Sequence, residues 1–303
     1  MTKRGLAVIL AAFAIPLAGG AAAVDDNLAF AGVAAATDPG ANEGAGTTKG
    51  YVTLRNAVTP TAAQPTEDDT EVAAMGDNGS CLKDMVLVEG SYCTEVRHNC
   101  KRWLDDPSLQ YARCGEYEEK ATCTGKRVQK RYCIDKYEAT LAGESLPANQ
   151  LSFVKGSKLC KSEGKRLCLE SEWNFACEGE EMRPYPYGWS REPKCNQDRT
   201  DLYAKDVRSS HALKDNRQPR DANPQCASPF GVQNMVGNVD ETTLRDNAQY
   251  AHPFRNALKG GWWMAGRNRC RPATTAHDDY YEDIQIGVRC CADPPGDDDI
   301  AKG

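Results

Sequence analysis

The sequence predicts an α+β domain that is rich in loops and held together by disulfide bonds. All 14 cysteines fall between Cys81 and Cys291, an even and dense set that is typical of disulfides formed in an oxidising compartment. Segments with strand character accompany only two segments with helix character, and long polar stretches separate them. There is no internal repeat and no alternation of strands with crossover helices, which favours α+β over α/β.

The first residues predict an export signal. Lys3 and Arg4 form a basic start, residues 6–17 are apolar, and residues 21–23 are the small alanines that a signal peptidase needs. We therefore expect residues 1–23 to be a signal peptide, with a periplasmic, extracellular or cell-surface protein and no transmembrane span after cleavage. An uncleaved membrane anchor is the alternative, because the uncharged run is close to the spanning length.

The segment that follows predicts a flexible linker. Residues 24–80 are rich in Ala, Gly, Thr and acidic residues and nearly devoid of aromatic ones, so they cannot bury enough apolar area to offset the entropy of ordering. Residues 295–303 have the same character and form an acidic tail. The folded domain is accordingly predicted at residues 81–294. The net charge of −6 and the lack of a basic tract argue against a nucleic-acid partner.

Two strand segments open the predicted domain. Residues 85–93 alternate apolar and polar side chains, and residues 126–140 are rich in strand-forming residues with one apolar face. Between them, residues 94–124 are irregular and polar and carry three cysteines. We predict that this stretch is a loop region pinned by disulfides.

Two helices follow. The first is predicted from about Phe153 to a C-terminal cap at Gly164. The second begins near Glu170, whose charge suits the positive end of a helix, and it places Trp173 and Cys177 on one side. A long polar stretch, a glycine-containing turn and a closing strand complete the domain, and loops of this length are usually functional.

The motifs along the domain resemble those of the formylglycine-generating enzyme family, also called sulfatase-modifying factors. MVLVEGSY, CIDKYEAT, GKRLCLESEWNFAC with YPYGW, FGVQNMVGNVDE, and LKGGWW with QIGVRC occur in the family's order. The resemblance implies the formylglycine-generating-enzyme fold, an elaborated C-type-lectin-like α+β domain with little regular structure.

The motif NMVGNVDE predicts a structural Ca²⁺ site, because hard oxygen ligands at a tight turn suit calcium. The family resemblance implies the Asn234 and Glu241 side chains and the Gly237 and Val239 carbonyls as its ligands. A second family calcium site would begin near Asn196. The alternative is a hydrogen-bonded turn without an ion.

The segment GGWWMAGRNRCRP bears on oxidase chemistry. The resemblance implies two cysteines five residues apart that bind Cu(I), but the first falls on Ala265 and only the second on Cys270, with Trp262 where the family has serine. Cu(I) prefers a pair of thiolates, so this argues against copper. Cys270 is therefore a structural cysteine, a reactive thiol or a catalytic copper ligand. Fitting the shorter loop of this chain to the family implies a bridge from Cys270 to Cys290 or Cys291.

The same segment supplies a predicted ligand cleft. Trp262, Trp263, Arg267, Arg269 and Arg271 fall on the face where the family holds substrate. Guanidinium forks bind carboxylate or sulfate, and indoles stack on sugars, peptides or cations. The alternative is that the tryptophans fill the core and the arginines pair with the acidic residues of segment 278–283.

Two functions remain open at this point. The first is an exported binding or accessory module with a degenerate oxidase site, which takes protein or glycan ligands at the cell surface or in the periplasm. The second is a family oxidoreductase that converts a substrate cysteine to formylglycine, or performs a related oxidation, with a noncanonical site.

Overall fold

A computed structural model describes residues 81–110, 112–202, 214–247 and 252–295. The predicted signal peptide, the predicted linker and residues 296–303 of the predicted tail lie outside the described residues. None of the helices in the described ranges has both the length and the apolar character needed to cross a membrane.

The described residues form strands, two α-helices and one 3-10 turn at Thr200–Leu202. In chain order the elements are β1 Met85–Cys93, β2 Val96–Arg97, β3 Cys100–Trp103, β4 Cys114–Tyr117, β5 Thr122–Cys123, β6 Arg127–Asp135, α1 Phe153–Ser162, β7 Arg166–Leu167, α2 Glu170–Glu178, β8 Asp240–Leu244, β9 Asn256–Lys259, β10 Ala273–Thr274, β11 Ile286–Val288 and β12 Cys290–Ala292. The α+β class is confirmed.

Two four-stranded sheets contain most of the strands. The first has the order β1-β6-β12-β7, and β1 pairs antiparallel with β6 from Met85 opposite Asp135 to Cys93 opposite Arg127. The second has the order β10-β9-β8-β11, in which β11 runs parallel to β8. Helix α2 contacts strands of both sheets, and seven of its nine residues are buried. Four of these seven residues are apolar and three are polar or charged, so the helix lies in the core although its sequence is not apolar on all sides.

Both predicted helices are present, and local interactions set their ends. Ser152 caps α1, where its side chain accepts a hydrogen bond from the Lys155 backbone N–H. At the start of α2, the Glu172 carboxylate accepts the Leu169 N–H at 2.8 Å. Gly179 ends α2 at φ 68°, and a Cβ there would lie 2.8 Å from Pro229, so glycine is required.

Residues 94–124 are more regular than the sequence predicts. They contain two short antiparallel pairs, β3 with β4 and, flanking them in the sequence, β2 with β5. We call residues 94–124 the double-hairpin segment. The disulfide Cys100–Cys114 joins β3 to β4, and Cys93–Cys123 joins the end of β1 to β5. Strands of two to four polar residues are too short to leave an alternating pattern, and cross-links that restrict the unfolded chain favour such short pairings.

All 14 cysteines are paired in seven disulfides. Besides the two in the double-hairpin segment, the bonds are Cys81–Cys133, Cys160–Cys290, Cys168–Cys291, Cys177–Cys270 and Cys195–Cys226. Successive side chains on a strand point to opposite faces, so the neighbours Cys290 and Cys291 on β12 reach different partners. The predicted disulfide framework is confirmed.

Candidate functional site

Cys270 is cross-linked to helix α2 through Cys177, with 5.5 Å between their Cα atoms. The Cys270 side chain is fully buried, and its backbone N–H donates to the Pro184 carbonyl at 2.9 Å. The expectation that Cys270 forms a bridge to Cys290 or Cys291 was wrong. Strand β12 inserts between β6 and β7, which brings those two cysteines to the end of α1 and to the residue after β7, away from Cys270.

The two tryptophans of the predicted cleft have different environments. Trp263 is fully buried, so its placement in the cleft was wrong; the apolar indole fills the interior instead. Trp262 is half-buried and packs edge-on against Trp263, with the ring centres 4.9 Å apart. The diglycine before them allows close packing, since a Cβ on Gly260 would lie 2.8 Å from the Met235 carbonyl.

Trp262 lines a small cavity of about 80 Å³ together with Asp240 and Arg267. The Asp240 carboxylate accepts the Gly261 N–H at 3.0 Å, and burial raises its pKa to about 6. The Arg267 guanidinium opposes that rise in pKa. Arg267 also donates to the Ala273 carbonyl and the Thr274 hydroxyl.

A second, larger cavity of about 570 Å³ adjoins the small one and shares part of its lining, including Gly266 and Arg267. The double-hairpin segment and residues 266–273 form most of its walls. We call this cavity the arginine cleft, because six arginines line it: Arg97, Arg113, Arg191, Arg267, Arg269 and Arg271. The three arginines predicted from the sequence are therefore brought together.

Three of these arginines are neutralised by carboxylates. Arg271 binds Glu178 of α2, with 2.6 Å from Nε to Oε2, and also donates to the Cys93 carbonyl at 2.6 Å. Arg113 forms a two-pronged pair with Asp105, with both contacts at 2.8 Å. Arg191 forms a similar pair with Asp198 at 2.6 and 2.7 Å.

Two of the arginines add net positive charge. Arg97 is exposed, and Arg269 donates to the Tyr117 hydroxyl at 2.6 Å. Across the described residues, neither has an acidic partner within ion-pair distance. Two of the acidic residues in segment 278–283 pair outside the cleft: Asp279 with Arg255 at 2.7 Å and Glu282 with Lys155 at 2.6 Å.

His98 also lines the cleft, and its Nε2 forms a hydrogen bond with the Met182 carbonyl oxygen at 2.7 Å. Burial lowers the pKa of His98, so the ring is neutral at physiological pH. The positive charge of the cleft therefore comes from guanidinium groups alone and does not depend on pH in the neutral range.

The predicted calcium motif forms a sharp turn that packs against Asn196. Gly237 has φ 77°, and a Cβ there would lie 2.3 Å from the Asn196 carbonyl oxygen. That same carbonyl accepts the Asn238 N–H at 2.8 Å. The side-chain oxygens of Asn234 and Asn196 are buried and have no hydrogen-bond partner within the described ranges. Asn196 thus lies directly against the turn of the predicted calcium motif.

Glu241 of the motif forms a buried ion pair. Its Oε1 accepts Arg289 Nη2 at 2.7 Å, and its Oε2 accepts the Trp173 indole N–H at 2.6 Å. Both ionic side chains are almost completely buried, with Arg289 at 1% and Glu241 at 1% exposure. The amide oxygens of the cluster fit a hard cation, whereas the charge of Glu241 is already compensated by Arg289.

Comparison with known proteins places these features in a family. Residues 109–294 match the family described as "Sulfatase-modifying factor enzyme 1-like domain", which is more than half of the chain. The chain belongs to the sulfatase-modifying factor family. This confirms the resemblance inferred from the motifs, and the match lies inside the predicted domain of residues 81–294.

Two curated relatives each match about half of the chain that contains this sulfatase-modifying factor domain. The formylglycine-generating enzyme of Mus musculus is 29% identical over 168 residues, 48% of this chain and 44% of that protein. The inactive C-alpha-formylglycine-generating enzyme 2 of Bos taurus is 28% identical over 165 residues, 50% of this chain and 52% of that protein. The chain thus spans about half the length of these relatives.

Two solved structures are similar to it at low identity. CarF has 12% identity and a TM-score of 0.45 over 69% of this chain and 98% of its own. PvdO from Pseudomonas aeruginosa has 15% identity and a TM-score of 0.44 over 69% of this chain and 94% of its own.

Sequence reasoning missed several residues of this sulfatase-modifying factor domain. Arg97 and Arg113 come from the double-hairpin segment, and Arg191 from a polar stretch, so no local pattern links them to residues 267–271. Arg289 was hidden in the closing strand, and Glu138 is a fully buried carboxylate that accepts from Asn234 and Asn238. Burial raises the pKa of Glu138 to about 7. For Arg289 the available signal was a charged residue inside an otherwise apolar segment, whereas Glu138 follows other charged residues in its motif and gave no such signal.

Proposed function

We propose that this sulfatase-modifying factor domain is an exported binding or accessory module for protein or glycan ligands and not an oxidase. The observation that carries the proposal is the Cys177–Cys270 bond, which leaves no thiolate at the position where the family resemblance implies a copper ligand. The other implied cysteine position is Ala265. Because Cu(I) needs soft ligands, neither position supplies one.

The similarity to the bovine protein supports a role without catalysis, since that relative is named an inactive formylglycine-generating enzyme. Seven disulfides support export to the periplasm or the cell exterior, because such bonds persist in oxidising compartments. The arginine cleft and its neighbouring cavity supply a binding surface on the side of the domain that carries residues 260–273.

The proposal predicts that the protein contains no free thiol and makes no aldehyde. Alkylation of the unfolded, non-reduced protein should add no label by intact mass. Incubation with a cysteine peptide from a sulfatase and with copper should leave the peptide unchanged, while the mouse formylglycine-generating enzyme converts it. Labelled cysteines together with aldehyde formation would contradict the binding-module proposal and support the oxidoreductase alternative.

We also propose a structural Ca²⁺ ion held by Asn234, the Gly237 and Val239 carbonyls and Glu241. The unpartnered, buried amide oxygen of Asn234 supports this, since a buried acceptor without a partner is costly. The Arg289–Glu241 pair makes the site less negative than a free carboxylate would, which predicts modest affinity. Asn196 contributes a second unpartnered amide oxygen beside the turn.

Calcium is therefore expected to raise the melting temperature. At a calcium concentration of about ten times Kd, the stabilisation is about 1.4 kcal/mol, or roughly 3–5 °C for a domain of this size. Asn234→Ala should remove the response to calcium, and magnesium should not reproduce it. Differential scanning calorimetry with calcium or chelator measures the shift. Equal melting temperatures in both conditions would mean that the turn is stable without an ion.

A further inference from the structure

We infer that the arginine cleft binds the carboxylate or sulfate groups of an acidic saccharide. This inference rests on the proposed binding function and names the ligand class. The cleft holds two guanidinium groups, those of Arg97 and Arg269, without acidic partners across the described chain. Guanidinium groups recognise the flat, two-oxygen edge of such anions through paired hydrogen bonds.

The surrounding contacts hold the cleft in a fixed shape. Arg269 lies 5.9 Å from the centre of the Tyr117 ring and donates to its hydroxyl, so its position is set before a ligand arrives. Arg97 stands on β2, which pairs with β5, and the Cys93–Cys123 bond ties β5 to β1 of the first sheet. Binding to a rigid site loses less conformational entropy, which favours weakly hydrophobic ligands such as saccharides.

The lining favours a saccharide over an acidic protein surface. Its described apolar side chains are small, namely Val96, Ala112, Pro272 and Ala273, whereas the energetic centres of protein interfaces combine arginine with large aromatic side chains such as Trp and Tyr. Donors from Gln110 and the arginines, together with the acceptor Nδ1 of neutral His98, can instead meet hydroxyl groups. The volume of about 570 Å³ lies in the range typical of small-ligand sites, which is about 300–1,000 Å³.

The wall that carries Arg97 and His98 lies before residue 109, where the family match begins. The cleft thus combines Arg97 and His98 from before the matched range with Arg269 from within it.

The test is isothermal titration of the full chain with tetragalacturonate, which carries only carboxylates, and with a chondroitin-sulfate tetrasaccharide, which carries sulfates as well. Cellotetraose is the neutral reference of equal length, and hexaglutamate is the acidic peptide reference. We expect at least one acidic saccharide to bind, cellotetraose not to bind, and the affinity to fall as sodium chloride is raised.

Arg97→Gln and Arg269→Gln should each weaken that binding about tenfold, because each removes a charge-assisted hydrogen bond. The matched control is Arg131→Gln, an exposed arginine of β6 outside the cleft. Arg97 is exposed, so its variant should fold even if Arg269→Gln is destabilised. Circular dichroism of each variant checks this.

Each outcome has a distinct meaning. Equal binding of cellotetraose, tighter binding of hexaglutamate, unchanged affinity in Arg97→Gln or no binding by either acidic saccharide would overturn the inference while leaving the binding-module proposal standing. Conversion of the cysteine peptide to an aldehyde would overturn the proposed function itself. The two failures are therefore read from different assays.

Discussion

Glu241→Ala is expected to lower the free energy of unfolding by about 3–5 kcal/mol, because it leaves the buried Arg289 guanidinium without its counter-ion. The indole N–H of Trp173 loses its acceptor in the same variant. Arg289 keeps the Asp135 and Gln233 carbonyls as acceptors, but these do not neutralise its charge. The measurement is equilibrium unfolding in guanidinium chloride with the disulfides intact.

Two comparisons make this result specific to the buried pair. Glu181→Ala removes the exposed partner of Arg183 and should change stability by less than about 1 kcal/mol. Replacing Glu241 by Leu and Arg289 by Met together should recover much of the loss, since neither charge is then stranded. All proteins are unfolded in chelator so that calcium makes no contribution. A loss below about 1 kcal/mol in Glu241→Ala would contradict the buried ion pair.

Removal of the Cys177–Cys270 disulfide is expected to lower the free energy of unfolding by about 3–4 kcal/mol. The Cys168–Cys291 bond already joins the same parts of the chain. The extra closed loop is therefore roughly 30 residues long, shorter than the sequence separation suggests, and the chain-entropy relation gives this range. Both sulfurs are fully buried, so the bond also anchors residues 260–272 to α2.

The bond is removed in three ways, by each single variant and by the double variant with Ala at both positions. Each single variant breaks the same bond, so Cys177→Ala, Cys270→Ala and the double variant should lose similar stability, as expected for strongly coupled sites. Losses that add in the double variant would mean that the sulfurs are not bonded. The double variant should also bind acidic saccharide more weakly, because one wall of the arginine cleft loses its anchor.

The motif order contained enough information to identify the family, and local patterns identified the helices. Gly164 and Gly179 have positive φ near the ends of α1 and α2, and Ser152 caps α1. These features depend on interactions within a few residues, which a sequence displays directly. The double-hairpin segment was predicted as a loop because its strands, such as Val96–Arg97, are too short to show the alternation of apolar and polar residues that indicates a strand.

Site residues were predicted only where they share one segment. Arg267, Arg269 and Arg271 are neighbours in sequence and were grouped, whereas Arg97, Arg113 and Arg191 reach the same cleft through the fold. Trp263 was misplaced because burial depends on which side of a segment faces the core, and both neighbouring indoles have the same chemistry.

The family, the α+β class and the presence of a disulfide framework could be predicted from residue type and order along the chain. The pairing of the cysteines, the contact of Glu241 with Arg289 and the meeting of arginines from three separate segments in one cleft required the folded structure. Those choices depend on distances between residues far apart in the chain, which the packing of β12 and α2 sets and no local pattern encodes.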